Sequence, residues 1–201
     1  MGLGGFRDRW LGRTAVAQAG TAARARPLFD WAVLANVLRG SPDALVVSRG
    51  HLLPDPPPTT LDALRACFAA GVGLCIRQAQ RHRPALAELA RSFEPLGAAH
   101  VQLFVTPGGT HGFGWHYDDE DVFIAQTAGV KDYYFRRNTV AHDQRARPAM
   151  FARFTRETSE LCTATLMPGD FLYLPARWWH MAICRADALS ISVGVTRDLG
   201  A

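Results

Sequence analysis

The spacing of apolar positions changes near residue 98, and the change separates a helical part from a β-rich part. Over residues 27–40, PLFDWAVLANVLRG sets its apolar residues on one helix face until Gly40-Ser41-Pro42 stops the run. DALVVSRG then reads as a short strand around Val46 and Val47. Residues 52–60 hold Pro54, Pro56, Pro57 and Pro58, which predicts an extended connector without regular structure. Thr60 is placed to cap a helix over LDALRACFAAG that ends at Gly71. VGLCIRQ predicts a strand, and residues 83–95 a third helix with Pro84 in its first turn. Ahead of these, residues 1–26 are rich in Gly, Ala and Arg and are expected to be loosely ordered.

Seven short aromatic and β-branched segments follow, over residues 101–106, 122–126, 130–136, 161–166, 170–175, 178–184 and 188–195. Turn residues such as Pro107-Gly108-Gly109 and Pro168-Gly169-Asp170 separate them. Short strands without intervening helices predict a sandwich or barrel. The expectation is one domain over residues 1–201, with a helical part at 27–95 and a β core at 96–197.

Composition adds exclusions. Of the 201 residues, 48% are hydrophobic and 20% charged, which is globular usage. No apolar run approaches the roughly 18 residues of a membrane span, so no membrane partner is expected. The first twenty residues lack the continuous apolar stretch of a signal peptide. Cys67, Cys75, Cys162 and Cys184 form no CxxC pair and read as reduced thiols of a cytoplasmic protein. The net charge of +4 comes from scattered arginines, so a nucleic-acid partner is not expected. Lys131 is the single lysine among 22 basic residues.

The strongest chemical signal is His116-Tyr117-Asp118. In extended backbone, residues two apart point the same way, so His116 and Asp118 can present a nitrogen and an oxygen to one point. His180, 64 residues beyond His116 beside Trp178 and Trp179, is the candidate third ligand if a barrel brings the strands together. Two histidines and one carboxylate on one face of an octahedral ion form the facial triad of non-haem Fe(II) oxygenases. Taken singly, each of these histidines also reads as a packed, hydrogen-bonded residue. His51, His82, His100, His111 and His142 read as surface or satisfied polar groups. Asp119, Glu120 and Asp121 form an acidic run that would attract a cation or simply be solvated, and Trp115 is a packing or substrate-contact residue.

HYDDEDVFIAQTAGVKDYYF followed by MPGDFLYLPARWWHMAI resembles the JmjC branch of the cupin superfamily, which holds 2-oxoglutarate-dependent oxygenases. The resemblance covers roughly residues 96 to 197. It implies a mainly β fold, a double-stranded β-helix (jelly-roll or cupin) core with N-terminal α-helices. It implies His116, Asp118 and His180 as Fe(II) ligands, and Lys131 as the partner of the far carboxylate of 2-oxoglutarate. Ser192, Gln102 and Thr110, with Tyr173, are further candidates for cosubstrate contacts. Val122 and Gly194 stand where asparaginyl hydroxylases of this branch have Asn, so the cosubstrate bonds depart from that subgroup.

The implied activity uses Fe(II), 2-oxoglutarate and O2 to hydroxylate an unactivated C–H of an amino acid, a carrier-bound amino acid or a peptide or protein side chain. Demethylation by the same residues and a non-catalytic metal-binding cupin are the alternatives. Ribosomal-protein hydroxylases of this branch carry a dimerisation region and a winged-helix-like domain after the barrel. This chain ends at Ala201, which shifts the expected substrate toward a smaller one. Homodimers through the N-terminal helices are the expected assembly.

Overall fold

The structure is a computed structural model that describes residues 3–139 and 154–197. Strand β11 (Ala188–Thr196) lies at its centre and shows how alternation divides the interior. Leu189, Ile191, Val193 and Val195 point to one face and join an apolar core. Ser190, Ser192 and Gly194 point to the other, opposite Phe104, Gln102 and His100 of β5 (Ala98–Thr106). Both faces are buried, yet only one is aliphatic. On this strand that difference turns aliphatic side chains to the helix-covered core and serines to a cavity between the sheets.

The large sheet has eight antiparallel strands. From one edge they are β1 (Val16–Gln18), β9 (Phe171–Leu174), β6 (Asp121–Ala128), β11, β5, β4 (Gly73–Ile76), β2 (Ala44–Ser48) and β3 (His51–Leu53). A second sheet of three strands runs β10 (Trp179–Cys184), β7 (Lys131–Arg136) and β8 (Cys162–Leu166). Val122, Ile124, Leu172 and Leu174 of the large sheet pack against Tyr133, Phe135 and Leu166 of the small one. The two facing sheets are the double-stranded β-helix that the resemblance implies.

Helices cover the aliphatic face. α2 (Trp31–Arg39) contributes Val33, Leu34, Val37 and Leu38, α3 (Leu61–Ala69) contributes Leu64, and α4 (Pro84–Phe93) contributes Leu86 and Ala90. A fully buried aliphatic side chain of this size contributes about 1.5–3 kcal/mol. Helices this short are held by such stripes rather than by propensity. Thr60 caps α3 as predicted, accepting from the Ala63 N–H at 3.2 Å. The helix predicted from residue 27 instead starts at Trp31. Asp30 accepts from the Val33 N–H at 2.7 Å and caps it, and Pro27 lies in a preceding 3-10 turn, Ala23–Leu28.

Two further expectations are corrected. Residues 3–26 are not loose chain. α1 (Leu3–Arg9) sets the Phe6 ring 5.0 Å from Tyr173 and 5.7 Å from Phe123, and β1 pairs with β9. Gly-, Ala- and Arg-rich composition had hidden the apolar residues Phe6, Trp10, Leu11 and Val16, which pack on the core. Leu52 and Leu53 belong to β3, not to the proline connector. Arg49 and Gly50 have φ of 47° and 83°, the left-handed pair that turns a tight β2–β3 hairpin.

The chain leaves β7 and returns to β8 through a clamp at Glu157. Its carboxylate accepts the Thr139 N–H at 2.7 Å, the Thr139 hydroxyl at 2.6 Å and the Ser159 N–H at 3.0 Å. Although burial opposes ionisation, these hydrogen bonds win and hold the carboxyl down at about 2, against an ordinary 4.5. A carboxyl with a depressed folded pKa stabilises fully above its unfolded pKa and loses that contribution as pH falls through the folded one. The shift corresponds to roughly 3 kcal/mol. Glu157→Gln is therefore expected to lower stability at pH 7 by an amount on the order of 1–3 kcal/mol and to flatten the stability–pH curve between about 4.5 and 2. Urea titrations at pH 3, 5 and 7 check this, and parallel curves for both proteins would refute the clamp.

Candidate metal centre and its cavity

His116 and Asp118 lie on the segment between β5 and β6, and His180 is the second residue of β10. Two backbone bonds hold the segments together: the His180 N–H donates to the His116 carbonyl at 2.8 Å, and the His116 N–H donates back at 3.2 Å. A third runs from the Arg177 N–H to the Asp118 carbonyl at 2.7 Å. Ligand-type atoms of His116, Asp118 and His180 consequently lie within 4.8 Å of one another. The His180 Nε2 is 3.5 Å from the Asp118 Oδ2, and the two imidazole centroids are 4.2 Å apart.

Both rings are held in the tautomer a metal needs. His116 Nδ1 lies 2.7 Å from the Gly114 carbonyl, and His180 Nδ1 lies 3.0 Å from the Trp178 carbonyl. A carbonyl only accepts, so each Nδ1 carries a proton and each Nε2 is the ring atom left for a metal. Burial, and then the neighbouring His116 ring, hold His180 well below the usual imidazole range, so it is neutral at pH 7. Two imidazoles and one carboxylate fit a divalent first-row ion such as Fe(II). Cys75 and Cys184 also line this space, but burial pushes the Cys75 thiol up to about 12 and raises Cys184 as well, so neither offers a thiolate.

The three residues open on a cavity of about 200 Å³ between the sheets. Lys131 lies in its wall, four residues from His180 along the β10–β7 register, in which Cys184 faces Lys131 and His180 faces Phe135. Lys131 is 3% exposed. Its Nζ donates to the Ser190 hydroxyl at 2.9 Å and sits 5.8 Å from the centre of the Phe104 ring. Among the described residues no carboxylate pairs with it, and desolvation lowers its pKa. An ammonium buried without a counter-ion is costly, and the cavity offers room for an anion to supply one.

The other candidates divide. Ser192 and Gln102 face each other across β11 and β5 and line the cavity. Gln102 also contacts His100 Nε2 at 3.2 Å. Thr110 does not join them; its hydroxyl donates to the Pro107 carbonyl at 2.8 Å and closes the turn after β5. Nor does Tyr173, which is turned to the opposite side, where its hydroxyl bonds Asp121 at 2.5 Å and receives the Gly12 N–H at 2.6 Å. Trp179 is buried and Trp178 half-buried, as alternation requires, and Trp115 stacks on Phe154 at 4.0 Å. His142 lies outside the described residues.

The acidic run is not one patch. Asp119 pairs with Arg177 in solvent, whereas Asp121 is buried against Arg197 and Tyr173. Glu120 alone turns into the cavity. It can do so because residue 194 is glycine: a Cβ there would lie 2.1 Å from Glu120 Oε1. Burial, with the Asp118 and Asp121 charges, pushes Glu120 up to about 7, and its neighbour His100, at 3.4 Å, is lowered by burial. Tyr133, whose hydroxyl bonds Ser190, and Phe104 were not foreseen as cavity residues. The period-two burial of β7 places Tyr133 with Lys131 on one face, a signal present in the sequence.

The JmjC domain family matches residues 75–200. Over 101 residues, 49% of this chain, it is 34% identical to a Dictyostelium discoideum protein described as bifunctional lysine-specific demethylase and histidyl-hydroxylase NO66, and covers 20% of that protein. Over 83 residues, 41% of this chain, it is 34% identical to a probable ribosomal oxygenase of Haemophilus influenzae and again covers 20%. The structure also resembles that of YcfD, a ribosomal oxygenase from Escherichia coli solved with cobalt and 2-oxoglutarate. There the TM-score is 0.65 at 19% identity, over 98% of this chain and 52% of the other. The chain thus spans about a fifth of these curated relatives and half of the solved one.

Proposed function

The chain belongs to the JmjC domain family, and from that premise we propose that it is an Fe(II)- and 2-oxoglutarate-dependent oxygenase that hydroxylates a side chain of a peptide or protein. The observation that carries the reading is one cavity holding two unmet demands. At one place three oriented donors converge; at another an ammonium is buried with no carboxylate partner among the described residues. A metal would answer the first, and a carboxylate of the cosubstrate would answer the second. The curated relatives' names supply the reaction class and the protein substrate.

His116, Asp118 and His180 would hold the iron. When bound, iron and cosubstrate supply the O2 chemistry, in which substrate C–H, O2 and 2-oxoglutarate give substrate C–OH, succinate and CO2. The chain's own residues do the rest. Lys131 and Ser190 fix the far carboxylate of 2-oxoglutarate, and Tyr133 closes the wall around it. Phe104, Val122 and Ile124 exclude water from the reacting centre. Glu120 presents a hydrogen-bond acceptor on the cavity wall near Asp118.

The test is incubation with Fe(II), ascorbate, 2-oxoglutarate and a pooled peptide library. Succinate should form, and some peptides should gain 16 mass units, with label from 18O2. Gain confined to free amino acids would move the substrate out of the peptide class, and formaldehyde release would assign demethylation instead. No succinate with any addition would overturn the oxygenase reading.

A further inference from the structure

Four described residues other than glycine have a left-handed backbone: Ser41, Arg49, Gln78 and Arg177. Arg177, with φ of 65°, is the one bonded to a segment of the metal centre. It lies at the third position of a turn from Pro175 to Trp178, closed by the Trp178 N–H to the Pro175 carbonyl at 3.2 Å. Ala176 is not left-handed, so the turn is of the type II kind, whose third position favours glycine. This turn carries the chain from β9 in the large sheet to β10 in the small one, and His180 follows three residues later.

The arginine side chain does not explain the strain. Its bond to Asp119 at 3.0 Å is exposed at both ends, and such pairs contribute little. The backbone does explain it. The Arg177 N–H meets the Asp118 carbonyl at 2.7 Å, and the preceding Ala176 N–H meets the Asp121 carboxylate at 3.3 Å. Relaxing a type II turn to type I rotates its central peptide by about 180°. That rotation would aim the Arg177 N–H away from Asp118. Strain held by surrounding contacts at such a place points to function.

Resting on the metal-centre reading above, we propose that the left-handed turn at Arg177 is a positioning device for the candidate metal centre: it holds the Ala176–Arg177 peptide toward the ligand segment and so fixes Asp118 relative to His180. Arg177 is a positioning residue, acting through its backbone. The affinity of the centre should therefore follow how easily residue 177 adopts the left-handed conformation, and not its charge.

Co(II) is the probe, since it resists oxidation and reports coordination through its d–d bands. It is titrated into the apo full-length chain and into Arg177→Gly, Arg177→Ala, Arg177→Lys and Arg177→Val, with apo melting temperatures measured alongside. Arg177→Gly should bind as tightly as the parent or up to about tenfold more tightly (equivalent to about 1.4 kcal/mol). Arg177→Ala and Arg177→Lys should stay within about threefold. Arg177→Val should bind about tenfold or more weakly, with altered bands, because a β-branched residue tolerates this conformation least. Should Arg177→Val not fold, Gly, Ala and Lys still rank the two causes. Loss of affinity in Ala but not in Lys would assign the effect to charge and overturn the proposal. So would shifts in melting temperature with Kd and bands unchanged throughout. Absence of Co(II) binding by the parent chain would instead defeat the metal-centre reading.

Discussion

Alanine at His116 or at Asp118 is expected to abolish 2-oxoglutarate turnover and to weaken Fe(II) or Co(II) binding at least about 100-fold, equivalent to about 2.7 kcal/mol. The three donors form the single cluster of this kind among the described residues. The cavity thiols offer no replacement donor, because burial holds them protonated. Fold stability should barely change. Asp118 is 39% exposed at its side chain, and the bonds that lace the segment to β10 are made by backbone atoms. Metal titration read beside circular dichroism separates the two effects. Turnover retained with a folded Asp118→Ala protein would remove the carboxylate from the ligand set.

The second large effect has opposite signs in two measurements. Lys131→Met should raise the 2-oxoglutarate requirement by roughly 150- to 4,000-fold, since removing one partner of a buried ion pair costs about 3–5 kcal/mol. The same change should raise the melting temperature of the apo protein, because it deletes an ammonium that is buried with no carboxylate partner among the described residues. The pH dependence follows the same logic. Burial lowers the folded pKa of Lys131 below its unfolded value. Between those two values the unfolded chain binds more protons, so the lysine's penalty on apo stability shrinks as pH rises toward the unfolded pKa. Lys131→Met should remove that slope, and saturating 2-oxoglutarate should reverse the order of melting temperatures. An unchanged requirement for 2-oxoglutarate would place Lys131 outside the cosubstrate site.

Much of this is legible in the sequence. The HxD pair, the distant histidine and the one lysine are local features whose residue types are informative. The period of β11 separates core from cavity in the sequence alone. What escaped depended on long-range contact. Tyr173 and Thr110 looked like cavity residues because hydroxyls are general-purpose donors; their partners, Asp121 and Pro107, are set by how the turn after β5 and the far face of the sheet fold. Glu120 and Gly194 are 74 positions apart, so the space one leaves for the other cannot be read along the chain. The role of Arg177 lies in a peptide orientation, to which its side-chain identity gives no clue.

The position of β11 also constrains how the molecule comes into being. It follows every other described strand in the chain, yet it is inserted between β5 and β6 in the middle of the large sheet. Until Thr196 has cleared the ribosome, a nascent chain presents β5 and β6 as two raw edges with nothing between them. Pairings this distant in sequence form slowly. Translation must therefore run almost to the end of the β core before His116, Asp118 and His180 can share an enclosed chamber.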